Sequence, residues 1–85
     1  MNNIDNYGLN GTLVNEPKLV RNDPPAIVFK VQYNEQVLNC FMTRHALNFL
    51  YEGHPGDKIA LYGHINEHHQ FVVQKALVQP RLELF

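Results

Sequence analysis

Apolar and polar residues alternate with a period of two along most of this chain. From Ala26 to Tyr33, Ile27, Phe29, Val31 and Tyr33 fall on one face and Val28, Lys30 and Gln32 on the other, the spacing of a half-buried strand. Asn34 and Glu35 form a short connection to Gln36–Thr43, where Leu38, Cys40 and Met42 alternate with Val37, Asn39, Phe41 and Thr43. The two runs predict a tight hairpin. Lys58 to Ile65 sets Ile59, Leu61, Gly63 and Ile65 against Ala60, Tyr62 and His64, and a β-rich run from Phe71 to Val78 follows the polar turn Asn66 to His69. Tyr7 to Val14 reads as the first strand, with Gly8 and Gly11 marking a bend or a close backbone approach. Asn15 to Pro25 is rich in turn formers and ends in Asp23, Pro24 and Pro25, so it reads as a loop.

The period changes once. Between Arg44 and Tyr51 the apolar positions become Ala46, Leu47 and Leu50, with Phe49 beside them. This predicts one short helix, with Thr43 as its cap, Gly53 as its stop and its end near Glu52. Three strands, a helix and two strands make an all-β chain with one short helix. That order is the arrangement of a five-stranded OB-fold, a Greek-key barrel.

The 85 residues are expected to form a single domain over 1–85, with its core at about 4–79 and a short tail at 80–85. A core of this size is near the lower limit for independent stability, so association as a homodimer or higher oligomer is expected. Seven Lys and Arg against eight Asp and Glu give a formal charge of −1. The molecule as a whole therefore cannot draw in a polyanion, and a nucleic-acid surface would need a local positive stripe with the acids elsewhere. Cys40 is the lone cysteine, which excludes an intrachain disulfide, and its apolar neighbours predict a buried, inert thiol. Met1 to Asp5 has no secretion-signal character, and no apolar run is long enough to span a membrane. A cytoplasmic protein is the expectation.

Three segments resemble the bacterial single-stranded DNA-binding protein family. Gly11-Thr12-Leu13-Val14-Asn15-Glu16-Pro17 is similar to its opening strand. Leu38-Asn39-Cys40-Phe41-Met42-Thr43-Arg44, followed by Ala46, Asn48, Phe49, Leu50 and Gly53, is similar to its third strand and helix, and Gly56 to Ile65 to its fourth strand. The resemblance runs from about Tyr7 to Val78 and implies a stacking platform on the outward face of strands 2 to 4. Carried over, that face comprises Lys30, Gln32, Val37, Asn39, Phe41, Thr43, Tyr62 and His64, and it implies single-stranded DNA as partner in replication, repair or recombination. Two departures stand out. Thr43 replaces a family aromatic before Arg44, and Asn34-Glu35 replaces a long arm. The family's acidic tail is also missing from Arg81-Leu82-Glu83-Leu84-Phe85. These cuts resemble the small primosomal replication proteins, which act as dimers.

The residues singled out for nucleic-acid contact are Lys30, Gln32, Asn39, Phe41, Arg44, Tyr62 and His64. Phe41 and Tyr62 are the stacking candidates, read as lying on adjacent strands, and a dimer interface is the other use for them. Lys30 and Arg44 would meet phosphates, with Lys58 and Lys75 as weaker candidates. His64, His68 and His69 lack metal-ligand spacing, so neither a metal nor a cofactor is expected. Glu52 and Asp57 read as solvent-exposed residues flanking a turn. No nucleophile arrangement, P-loop or dinucleotide glycine pattern is present, and catalysis is not expected. The other reading is a protein-interaction module of the same fold, with replication proteins as possible partners; RNA is a third ligand that the sequence does not separate from DNA.

Overall fold

The alternating stretches are strands in a computed structural model that describes residues 5–79. The elements are β1 (Tyr7–Leu13), β2 (Lys18–Asn22), β3 (Pro25–Tyr33), β4 (Gln36–Met42), α1 (Ala46–Glu52), β5 (Lys58–Ile65) and β6 (Gln70–Val78). The tail from Pro80 onward, with its apolar Leu82, Leu84 and Phe85, lies outside the described residues. Among those residues no helix is long and apolar enough to cross a membrane.

The segment Asn15–Pro25 contains a strand, in contrast to the loop its turn formers predict. β2 pairs antiparallel with β3 from Lys18↔Val28 to Asn22↔Pro25, and β3 also pairs with β1 at Thr12↔Gln32 and Leu13↔Val31. β1 and β2 thus run along the same edge of β3 as one strand interrupted at Val14–Pro17. The ladder bridges the break, because the Val14 N–H donates to the Lys30 carbonyl at 2.9 Å and the Lys30 N–H donates to Asn15 Oδ1 at 2.9 Å. All five β2 residues are exposed, so no face alternation marks it. Pro25 is tolerated because it opens its strand.

Counting β1 and β2 together, five strands close a ring in the order β1-β5-β6-β4-β3, and β3 returns to β1. The β4–β6 pairing is parallel and the others are antiparallel. Inward-facing Leu13, Ile27, Phe29, Val31, Cys40, Met42, Ile59, Leu61, Phe71 and Val73 form the core. Ile65, on the core face by alternation, is exposed at the end of β5. Gly11 is the close approach expected of it: a Cβ there would overlap Val31 Cγ1 and sit 2.7 Å from the Gln32 carbonyl oxygen.

The helix starts two residues later than its apolar spacing predicts and is not capped by Thr43. His45 is its N-cap, in a left-handed conformation with φ 55° and no side-chain cap bond, and the Thr43 backbone carbonyl accepts from Ala46 N–H at 3.3 Å. Ala46 and Phe49 supply the buried face while Leu47 is exposed. The Phe49 ring lies 4.7 Å from Phe29, so α1 plugs one end of the barrel. Gly53 stops the helix, its N–H returning to the Phe49 carbonyl. Asp57, expected in solvent, is 7% exposed because its Oδ2 accepts the His54 N–H at 3.1 Å across the turn before β5.

Candidate nucleic-acid interface

Alternation that sends apolar side chains inward turns the remaining positions of β3, β4, β5 and β6 outward. The registers align them in rows. Lys30, Asn39 and Gln70 stand side by side on β3, β4 and β6. Two residues further along β4, Val28, Phe41, Val72 and His64 make a row across four strands. Beyond the end of β4, Arg44 faces Gln74 and Lys75 of β6 and Tyr62 of β5 around a hollow of about 300 Å³.

Phe41 and Tyr62 are not on neighbouring strands, which corrects the sequence-based expectation. β6 lies between β4 and β5: Phe41 meets Val72, and Tyr62 meets Lys75. Tyr62 is 44% exposed, whereas Phe41 is half-buried between Val28 and Val72.

Cations stand on both sides of the apolar row. On one side Lys30, with Lys18 from the β2 end of the row opposite Val28, lines a hollow of about 490 Å³ with Asn15, Asn39, His68 and Gln70. On the other, Arg44 and Lys75 line the smaller hollow with Asn6, His45, Tyr62 and Gln74. Among the described residues no acidic side chain lines either. The acids occupy turns and flanks instead: Glu16 between β1 and β2, Asp23 between β2 and β3, Glu35 between β3 and β4, and Glu67 between β5 and β6, where it lies 3.9 Å from His68, while Glu52 at the end of α1 lines a separate hollow with His45, Tyr62 and Lys75. A near-neutral chain therefore carries a local positive border around an apolar strip.

Of the expected residues, Lys30 and Asn39 share the larger hollow, and Arg44 and Tyr62 share the smaller. His64 borders the latter through Asn6, whose Oδ1 accepts from its Nδ1 at 2.9 Å. Gln32 is exposed one row beyond Lys30, opposite Val37, and lines neither hollow. Lys58 stands at the far end of β5, opposite Thr12. Lys18 is invisible to sequence reasoning because its strand has the composition of a loop. Val72, Gln70 and Gln74 join the face only once β6 is known to cross it, although alternation alone gives Val72 the right side.

Two groups offer no chemistry. Cys40 is 1% exposed and burial pushes its thiol up to about 12, far from the range of a reactive thiolate. Among the described residues no cluster of His, Cys, Asp and Glu could hold a metal ion.

No protein-family model and no curated protein matches this sequence. Solved structures do match. The chain is similar to the single-stranded DNA-binding domain of a Synechococcus sp. protein at 16% identity and TM-score 0.77, covering 89% of this chain and 97% of that one. It is also similar to the small single-stranded DNA-binding protein of Streptomyces coelicolor, at 13% identity and TM-score 0.74, covering 93% and 96%. The fold is the OB barrel of single-stranded DNA-binding proteins. The same barrel is similar to part of TiaS, a tRNA agmatidine synthetase, in its complex with tRNA, at 17% identity and TM-score 0.72. There the match takes in 93% of this chain but spans only 20% of TiaS.

Proposed function

We propose that this OB barrel binds single-stranded DNA, with little overall sequence preference, across the outward face of β3, β4, β6 and β5. One observation carries the reading: the row Val28–Phe41–Val72–His64 is bordered by Lys30 on one side, by Arg44 and Lys75 on the other and by Lys18 at its β2 end, and among the described residues no acid lines the two hollows. Bases stack on Phe41 and Tyr62, which any base can do because every base has a π-face. Phosphates meet the cations, and Asn39, Gln32 and Gln70 offer hydrogen bonds along the path. The similarity to single-stranded DNA-binding proteins over nearly their whole length supports this reading, and replication, repair or recombination is the setting it fits.

Fluorescence anisotropy of a labelled oligo-dT, with duplex DNA of equal length as control, tests it. Binding to the single strand alone, weakened by salt and by joint replacement of Phe41 and Tyr62 with Ala, is the expected result. Stacking is typically worth about 1–3 kcal/mol per base, so the double variant should lose at least about tenfold in affinity, whereas an unchanged affinity removes these two rings from the site. Preferential binding of an RNA oligomer would move the ligand to RNA.

A second reading has its own observation. A hollow of about 520 Å³ beside α1 has a floor of apolar Met42, Phe49, Leu61, Ala76 and Leu77 with Asn48, Glu52 and Lys75 also in its lining, and Leu77 is 65% exposed. This surface fits an OB-type module that meets another protein of a replication system. Apolar burial responds little to salt where phosphate contacts respond strongly, so the salt series separates the two. The exposed edge strand β2, with Leu19 and Val20 at 42% and 54%, is where a homodimer would form; its test is the molecular mass in solution.

A further inference from the structure

The ladder between β5 and β6 slips by one residue. Tyr62 pairs with Lys75 and Gly63 with Val73, so Gln74 is the extra residue of a β-bulge. The other edge of β6 changes at the same point. β4 pairs with it from Asn39↔Gln70 to Met42↔Val73 and then ends, and the chain leaves for α1. Among the described residues no strand lies along that edge of β6 over residues 74–78. The space a longer β4 would fill is the hollow of about 520 Å³ between α1 and β6. Met42, Phe49 and Leu61 lie in its floor, and Ala76 and Val78 are the residues of the free stretch that pack on the core.

We propose that the chain's own segment 82–85 folds back as a further strand on this free edge and fills the hollow beside α1. The proposal is independent of the single-strand reading, and it gives the hollow an occupant within the chain in place of a second protein. An unpaired edge beside an apolar floor is what strand addition uses: main-chain bonds hold the added strand, and its alternate side chains enter the floor. The segment has that alternation. Leu82 and Leu84 share one face, and Arg81, Glu83 and Phe85 the other. A register that sets the two leucines beside Ala76 and Val78 therefore extends the core. Position and reach agree. Lys75, Ala76 and Leu77 of β6 line the hollow and Gln79 is the last described residue, so the segment starts close to the site. The residues from Pro80 onward span up to about 20 Å when extended. Pro80 has no N–H to give to a ladder, which suits a reversal there. The charges are complementary as well, with Glu52 and Lys75 in the lining for Arg81 and Glu83 of the segment.

Amide hydrogen exchange of the full chain, followed residue by residue by NMR, tests it, together with NOEs in a sample that mixes labelled and unlabelled copies. The amides of residues 82–85 should exchange at least about tenfold slower than those of an unstructured chain, and the Leu82 and Leu84 methyls should contact Met42 and Phe49 of the same copy. A Leu82→Asp/Leu84→Asp variant should exchange this segment at the unstructured rate and unfold at least about 5 °C lower, the scale of losing packed leucines in a domain of this size. Exchange of the wild-type segment at the unstructured rate overturns the proposal and leaves the hollow open to another protein. Contacts found only between copies overturn it too, because the strand then comes from a second molecule. Protection without contacts to Met42 and Phe49 seats the segment on another surface and likewise overturns it. The wild-type measurements stand by themselves if the variant fails to fold.

Discussion

At Gly63 the bulge brings the Val72 carbonyl oxygen into the volume a Cβ would fill, with Val72 C at 2.9 Å and Val73 Cα at 3.1 Å. None of these is a side chain that can swing away. Gly63→Ala is therefore predicted to cost about 3 kcal/mol or more, the range of strained backbone substitutions. Gly8, on the neighbouring strand β1, has only the Leu61 carbonyl oxygen within contact, at 3.6 Å, so Gly8→Ala should change stability by less than about 1 kcal/mol. Urea midpoints of the two variants check the contrast, and equal midpoints would contradict the bulge. Cys40 gives a second prediction at this scale. Its thiol is raised from 9.0 to about 12 by burial, so the unfolded chain loses that proton first as pH rises. The contribution to stability is complete below about pH 9 and is lost between about 9 and 12. Cys40→Ala should flatten that part of the pH profile; an equal alkaline decline in both proteins would assign it to other groups.

The hairpin between β3 and β4 shows how an element depends on its turn. Asn34 and Glu35 both have positive φ, 47° and 64°, as a two-residue turn that matches strand twist requires. Asn favours that conformation and Glu does not. Glu35→Gly is predicted to raise stability by about 0.5–1 kcal/mol, visible as a higher thermal midpoint, whereas a lower midpoint would show that the Glu35 side chain matters more than its backbone. Elements whose two faces differ are legible in the sequence: β3 and β4 follow their alternation, and β5 begins and ends where its pattern does. β2 is hidden because a fully exposed strand has no face to alternate. The helix cap is misplaced for a related reason, since a left-handed His45 leaves no signature comparable to a Thr before an apolar run. Asp57 reads as exposed because its residue type usually is, and the returning His54 N–H is a contact that its residue type does not disclose.

On the scale of the whole molecule, charge placement counts for more than charge total. Four cations border the apolar row while the net charge is −1. If all four meet phosphates, the logarithm of the association constant should fall against the logarithm of salt with a slope of about −2 to −3, from the single-strand value of roughly −0.7 per phosphate. Joint replacement of Lys18 and Lys30 by Gln should make the slope shallower by about 1.4; an unchanged slope would place the strand elsewhere. The sequence discloses that such a face exists, because outward Lys30, Asn39, Phe41 and Tyr62 follow from period two. It does not disclose the lateral order. Parallel pairing of β4 with β6 is a long-range fact, and it separates Phe41 from Tyr62 by a strand whose Val72 and Gln74 then enter the surface.

The closing of the ring also sets an order of assembly. β3 and β4, and likewise β5 and β6, meet across a few residues, whereas the ladder from Tyr7↔Gly63 to Thr12↔Lys58 joins distant parts of the chain. Loop-closure entropy delays such a ladder, so β1 arrives late, on two hairpins already made. The same cost makes it the first seam to open, and its amides are the ones that should exchange with deuterium through local opening while the β3–β4 amides wait for global unfolding.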